Sequence, residues 1–199
     1  MKRHLFLEGP VQSGKSTILR QLLEPHIDYT GGFASQRLLD SYSQTRGFRI
    51  GAAGCTALTS PFSKGYDGVF RISNDDGTVD KYPEVFENKG VEYLIKNQGK
   101  KVILLDEIGG AELLGSRFRQ ALYEVLGGST PCIGVIKLIE SADFMVTTSD
   151  YPRSIIEYNR ELRRKITEEY GGKIVRFTKD DDAVIKEIED FLCGIFTIK

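Results

Sequence analysis

Gly9-Pro10-Val11-Gln12-Ser13-Gly14-Lys15-Ser16, followed by Thr17, fits the pattern G-x-x-x-x-G-K-[ST] at every fixed position. The flanks agree with it. Upstream, His4-Leu5-Phe6-Leu7 is a short apolar run that reads as a buried strand. Downstream, Thr17-Ile18-Leu19-Arg20-Gln21-Leu22-Leu23 spaces its apolar residues as a helix does. A glycine-bounded turn from strand to helix gathers backbone N–H groups around one hollow, at the positive end of a helix dipole. Such a hollow suits a polyphosphate. Gly9, Pro10, Val11, Gln12, Ser13, Gly14, Lys15, Ser16 and Thr17 are therefore the candidate nucleotide-binding residues. Gly9 and Gly14 permit the turn and the close backbone approach. Lys15 places an ammonium among β- and γ-phosphate oxygens, and Ser16 offers a hydroxyl to Mg²⁺.

A second element fits the first. Val102-Ile103-Leu104-Leu105 is a continuous apolar run ending in Asp106-Glu107, as expected at the centre of a parallel sheet. An acidic residue at the end of a neighbouring strand holds Mg²⁺ in phosphate-loop proteins, and Asp106 is assigned that part. Glu107 is the candidate for orienting or deprotonating an attacking water. Phosphoryl transfer also needs a cation for the developing charge. Arg37, Arg46, Arg49, Arg160, Arg163 and Arg164 are candidates. Arg160, Arg163 and Arg164 share a helical face by spacing, as a lid over a triphosphate or a contact for an acidic partner would require.

The remaining chain alternates strands and helices, so the expected class is α/β, three-layered, with a mainly parallel central sheet. Ligands of such sheets sit at the carboxyl ends of the strands, where the phosphate loop and Asp106 both fall. Residues 47–86 read as an antiparallel hairpin insertion turning at Asn74-Asp75-Asp76-Gly77, with the return strand over 79–85. Residues 51–68 have loop composition, and 36–45 and 141–152 carry no clear period. Helices are expected over 84–97, 111–126 and 155–170, the last carrying the arginines. Further strands are expected over 131–136 and 173–177. Asp180-Asp181-Asp182 opens a final helix, where carboxylates cap and favour the dipole.

With 199 residues the chain suits a single α/β domain. A net charge of −1, from 27 basic and 28 acidic residues, gives no global field for nucleic acid or anionic lipid. Cys55, Cys132 and Cys193 are isolated and odd in number, which argues for reduced, buried or partly buried thiols in a cytoplasmic protein. No run approaches a membrane span. Met1-Lys2-Arg3 leads straight into the first strand, so neither a signal peptide nor a preceding domain is expected.

Four segments together resemble the thermophilic-type nucleoside-triphosphatases, a family that includes the cancer-related nucleoside-triphosphatase of animals. They are the phosphate loop, Gly32-Phe33-Ala34-Ser35, Arg46-Gly47-Phe48, and Asp106-Glu107-Ile108-Gly109-Gly110-Ala111-Glu112. The last is the most discriminating. The resemblance implies a RecA-like fold and slow Mg²⁺-dependent hydrolysis of nucleoside 5′-triphosphates to diphosphates. It also implies site positions at Asp106, Glu107 and Glu112, with Arg46 as a phosphate or switch residue. The chain departs from the family at its asparagine-arginine-aspartate triplet. Asp180-Asp181-Asp182 stands in that place, while Asn159-Arg160-Glu161 has similar letters inside an expected helix.

The reaction expected is hydrolysis of ATP, GTP or another nucleoside triphosphate, with Lys15, Glu107 and Arg46 as catalytic candidates. The alternatives are a nucleoside or small-molecule kinase with the arginine helix as its lid, and a nucleotide-operated binding protein that hydrolyses little.

Overall fold

The structure, a computed structural model, describes residues 2–54, 57–63, 65–97, 99–149, 151–179 and 181–197. In chain order β1 (His4–Glu8) leads through the phosphate loop to α1 (Lys15–Leu23), and a 3-10 turn (Glu24–Tyr29) leads to β2 (Thr30–Leu39). Then come β3 (Thr45–Ala52), β4 (Thr59–Pro61), β5 (Val69–Ser73) and β6 (Val79–Lys81). A π-helical turn (Phe86–Gly90) and α2 (Val91–Ile95) precede β7 (Val102–Ile108). A 3-10 turn (Ala111–Leu114), α3 (Ser116–Gly127) and β8 (Cys132–Ile136) follow. The chain closes with α4 (Ile139–Thr148), α5 (Ser154–Arg164) and its π-helical continuation (Lys165–Glu169), β9 (Gly172–Arg176) and α6 (Asp182–Phe196).

The strands form one sheet in the order β6-β5-β3-β2-β7-β8-β1-β9, with β4 paired to β2 outside that path. From β2 to β9 all neighbours are parallel. The pairs β2–β3, β3–β5 and β5–β6 are antiparallel. Successive strand residues face opposite layers, as the period of two requires. Phe6, Ile103 and Leu105 pack with Phe118, Leu122 and Leu162 on one face. Leu5, Leu7, Leu104, Ile133 and Val135 pack with Leu19, Leu23, Ile188 and Leu192 on the other. So α1 and α6 cover one side, and α2, α3 and α5 the other. The expected three-layer α/β class is the one observed.

The antiparallel part begins earlier than residue 47. The polar stretch 36–45 is the end of β2 and the turn into β3, because β2 runs on past its pairing with β7, which ends at Ala34↔Asp106. Asp40 makes this turn, its carboxylate accepting from Tyr42 N and Gln44 N at 2.9 Å each. Gln36 is buried in that extension but satisfied, donating to Ala57 O at 2.6 Å and accepting from Arg49 at 2.7 Å. Within the expected loop 51–68 lies β4. The return strand stops at Lys81, just ahead of Pro83, which lacks a ladder N–H.

The helix expected over 111–126 is broken at Gly115, whose φ/ψ are −70° and 116°, leaving a 3-10 turn ahead of α3. Residues 139–148 form a helix that their pattern did not announce. Asp181 caps α6, accepting from Val184 N at 3.2 Å, whereas Asp180 lies outside the described residues. Cys132 is buried, and burial pushes its thiol up; Cys193 is exposed, contrary to expectation, and Cys55 lies outside the described residues. Among the described residues no helix is long and apolar enough to cross a membrane.

His4 opens β1 fully buried. Its Nδ1 accepts from Cys132 N at 2.9 Å, and its Nε2 lies 2.9 Å from Leu126 O. The ring is thus used as a neutral imidazole, acceptor on one side and donor on the other. Burial is the main reason its pKa falls from 6.5 to about 4. The unfolded chain therefore binds a proton below pH 6.5 that the folded chain refuses until about 4. The stability from this group is complete above pH 6.5 and lost as pH falls, about 3 kcal/mol over the whole window. Urea titrations should show a falling midpoint between pH 6.5 and 5, with a slope shallower by about one proton in His4→Gln.

Candidate active site

The phosphate loop joins β1 to α1 with two glycines that no other residue replaces without strain. Gly9 has φ 151°, and a Cβ there would lie 2.3 Å from Phe177 O. Gly14 caps α1 with φ 93°. Lys15 folds back over the loop, donating to Gly9 O at 2.9 Å, Pro10 O at 2.6 Å and Ser13 Oγ at 3.0 Å. Burial lowers its pKa, against the pull of the Glu107 carboxylate, and the Lys137 charge lowers it further. Pro10, Val11, Gln12 and Thr17 are exposed on the rim. Val11 in particular presents an apolar side chain to solvent.

Asp106 reaches this loop across one intervening strand, since β8 lies between β1 and β7. The residue is only 1 % exposed. Ser16 Oγ donates to Oδ1 at 2.7 Å, and Arg20, one turn further along α1, donates to Oδ2 at 2.9 Å. Desolvation raises the Asp106 pKa, while the Arg20 charge and the two hydrogen bonds oppose it. Arg20 also donates to Ala57 O at 2.6 Å and to Ser35 O. Ser35 in turn donates to Asp106 O at 2.8 Å. Both carboxylate oxygens are thus engaged by α1, with the Ser16 hydroxyl directly against Oδ1. Two hard oxygens suit Mg²⁺, which takes one or two protein ligands and completes its shell with water and phosphate. Among the described residues no group of three or more His, Cys, Asp or Glu forms a denser metal cage.

Glu107, the next residue after Asp106, is more open, its side chain 35 % exposed. Its carboxylate pairs with the Lys137 ammonium. Burial alone would lower the Lys137 pKa, but Glu107, Glu112 and Asp106 outweigh it and the net shift is upward. Glu112 is buried and turned back on its own loop, accepting from Gly110 N at 2.7 Å and from Gly109 N. Desolvation raises its pKa. Its immediate work is holding the segment that follows Glu107.

The expected arginines do not gather. Arg46 pairs with Asp75 at 2.6 Å and donates to Ser73 O at 3.2 Å. It stands beside Gly47, the partner of Leu38, in the part of β2 that has already left β7. The antiparallel extension therefore carries it away from Asp106, and a direct catalytic contact is not supported. Arg163 turns inward, bonding Glu8 at 2.7 Å, Lys137 O at 2.7 Å and Asn159 Oδ1 at 2.8 Å. Arg164 pairs with Glu169 at 2.7 Å, and Arg160 is exposed among Glu140, Asp143, Arg153 and Glu157. The three do not present one lid face, because α5 uses Arg163 as a half-buried tie.

Arg20, Lys137 and Asn159 were missed as site residues. A signal existed for two of them. Arg20 follows Ser16 at i+4, hence on the same side of α1. Lys137 ends an apolar strand just as Asp106 does. Asn159 donates to Gly109 O at 2.7 Å and Lys137 O at 3.2 Å, and nothing in its helical context announced that.

A loop of this geometry, between the first strand and first helix of a parallel sheet, with an acidic strand end one position removed, defines the P-loop class of α/β protein. A family model described as NTPase matches residues 4–170, and the chain belongs to that family. Two solved structures share the fold. THEP1 from the hyperthermophile Aquifex aeolicus is 19 % identical with a TM-score of 0.60, over 95 % of this chain and 98 % of its own. A human cancer-related nucleoside triphosphatase is 18 % identical with a TM-score of 0.60, over 99 % of both chains. No curated protein matches the chain.

The Arg20–Asp106 pair makes a stability prediction. Arg20→Met leaves a buried carboxylate without its cation and should cost about 3–5 kcal/mol in chemical denaturation. Adding Asp106→Asn should recover part of that loss, so that the double variant is more stable than the single one.

Proposed function

We propose that the protein hydrolyses nucleoside 5′-triphosphates, ATP and GTP among them, to diphosphate and phosphate with Mg²⁺. It would thus be a hydrolase acting on phosphoric anhydrides. The observation that carries this is the juxtaposition, across β8, of the phosphate loop with a strand end bearing two carboxylates of different character. One, Asp106, is buried and bonded to Ser16. The other, Glu107, is open to the site. Membership of an NTPase family supports the general reaction.

In this reading the loop amides of residues 9–17 and Lys15 bind the phosphate tail. Lys15 exchanges its bonds to Gly9 O, Pro10 O and Ser13 Oγ for phosphate oxygens. Ser16 and Asp106 would hold Mg²⁺, which would neutralise charge on the phosphate oxygens. Arg20 orients the Asp106 carboxylate and opposes the upward push of burial on its pKa. Glu107 accepts a proton from the attacking water. Glu112 holds the loop behind Glu107. The substrate is the nucleotide; membrane and nucleic-acid partners are not part of the reading. Residues 1–199 are taken as one catalytic unit, because a single sheet runs through both the parallel and antiparallel parts. The reading includes a cytoplasmic location, which the nucleotide substrate and the free thiols of Cys132 and Cys193 support. The kinase alternative leaned on an arginine lid, and the inward turn of Arg163 removes that support.

Phosphate release should be measured with ATP, GTP, CTP and UTP, with and without Mg²⁺, and without any acceptor. Release is expected with Mg²⁺ alone. Lys15→Ala should abolish it, and Glu107→Gln should slow it roughly 10²-fold or more while nucleotide still binds. Release that required an added acceptor would favour the kinase instead.

A further inference from the structure

We propose that Lys137 is a second phosphate-facing cation of this site, engaging the γ-phosphate during the reaction and fixing where the Glu107 carboxylate sits. The inference rests on the hydrolase reading and deepens it by naming the group that answers the charge developing on the transferred phosphoryl.

The placement is over-determined. Lys137 follows β8, the strand between the phosphate-loop strand β1 and the Asp106 strand β7. Its backbone N donates to Ile108 O at 2.8 Å. Its carbonyl accepts from Arg163 at 2.7 Å and from Asn159 at 3.2 Å. Arg163 in turn holds Glu8, the residue before Gly9, at 2.7 Å. The root of Lys137 is therefore tied to the root of the phosphate loop. Its stem crosses Gly110, where a Cβ would lie 2.7 Å from Lys137 Cε and 2.9 Å from Cδ. A glycine there makes room for the stem on its way to Glu107.

The charges support the same assignment. Glu107, Glu112 and Asp106 all act on the Lys137 ammonium, and Lys137 acts on Lys15. Its side chain is half-buried, 24 % exposed, and its ammonium sits against the Glu107 carboxylate, whose side chain is the more open of the two at 35 %. Four of the chain's arginines are already engaged elsewhere. Arg46 is held by Asp75, Arg163 by Glu8 and Arg164 by Glu169, while Arg20 is committed to Asp106.

The step balances without consuming Lys137. The water oxygen bonds to the γ-phosphorus, and one water proton passes to Glu107. The bond from that phosphorus to the β–γ bridging oxygen breaks, its electron pair leaving on the diphosphate. Lys137 remains an ammonium throughout, bridging Glu107 and an equatorial phosphoryl oxygen.

The test uses the full chain, with Lys137→Met, Lys137→Arg and Gly110→Ala. Three readouts are taken: phosphate release, calorimetric binding of Mg·ADP, and binding of a non-hydrolysable Mg·ATP analogue. Lys137→Met should lower kcat roughly 10²–10³-fold, leave Mg·ADP affinity within about threefold, and weaken the triphosphate analogue about tenfold. Lys137→Arg should regain part of kcat. Gly110→Ala, which keeps the charge but displaces the stem, should lower kcat with Mg·ADP binding retained. It serves if Lys137→Met does not fold. A wild-type rate in Lys137→Met or Gly110→Ala would overturn the inference. So would equal losses of ADP and triphosphate binding, which indicate a purely structural role. Should the wild-type chain release no phosphate, the hydrolase reading fails. The difference between diphosphate and triphosphate binding then still decides whether Lys137 faces a γ-phosphate.

Discussion

A buried carboxylate with two donors from one helix holds this molecule's working end together. Asp106 lies on β7, yet both its oxygens are taken by α1, through Ser16 and Arg20. Because β8 separates β7 from the strand that feeds α1, these two bonds span the width of a strand and set the distance between phosphate loop and acidic strand end. Burying a carboxylate is expensive, and here a donor on each oxygen offsets part of that cost. The same economy explains Arg20, which reaches Ser35 O and Ala57 O and so draws β2 and the segment before β4 into the junction.

A second set of ties sits on the opposite face of the sheet. Glu8, Arg163, Asn159 and Lys137 form a chain of hydrogen bonds from the end of β1 through α5 to the end of β8. Asn159 extends it to Gly109, behind Glu107. Side chains on α5 thereby tie three neighbouring strand ends, through the Glu8 carboxylate and the backbone carbonyls of Lys137 and Gly109. Half-satisfied, such a network would be worse than an apolar core, and here each named polar group finds a partner. The two networks have different products. The first holds a carboxylate rigid and dry, while the second leaves the Glu107 side chain partly open to solvent and paired with Lys137.

The antiparallel extension shapes the site's surroundings rather than its chemistry. Its last hairpin reaches across to the junction of α4 and α5, where Lys81 donates to Ser149 O and lies 4.2 Å from the Tyr151 ring centroid. Lys81 thus joins the sheet extension to the segment that follows Lys137. The cation–π contact and the hydrogen bond together give that contact a direction that apolar packing alone would not.

The local signals carried the phosphate loop, the apolar strand ending in Asp106-Glu107 and the alternation of strands with helices. Each is decided by a handful of adjacent residues: a glycine turn, an apolar run, a helical period. The family resemblance was legible for the same reason, being written in short contiguous segments. What only the tertiary structure decided depends on residues far apart in the chain. Strand order placed β8 between the two halves of the site and so brought in Lys137. Strand length carried β2 past β7 and took Arg46 with it. Helix rotation turned Arg163 inward and left Arg160 in solvent, a distinction that spacing along one helix cannot make, because spacing says which residues share a face but not what that face meets.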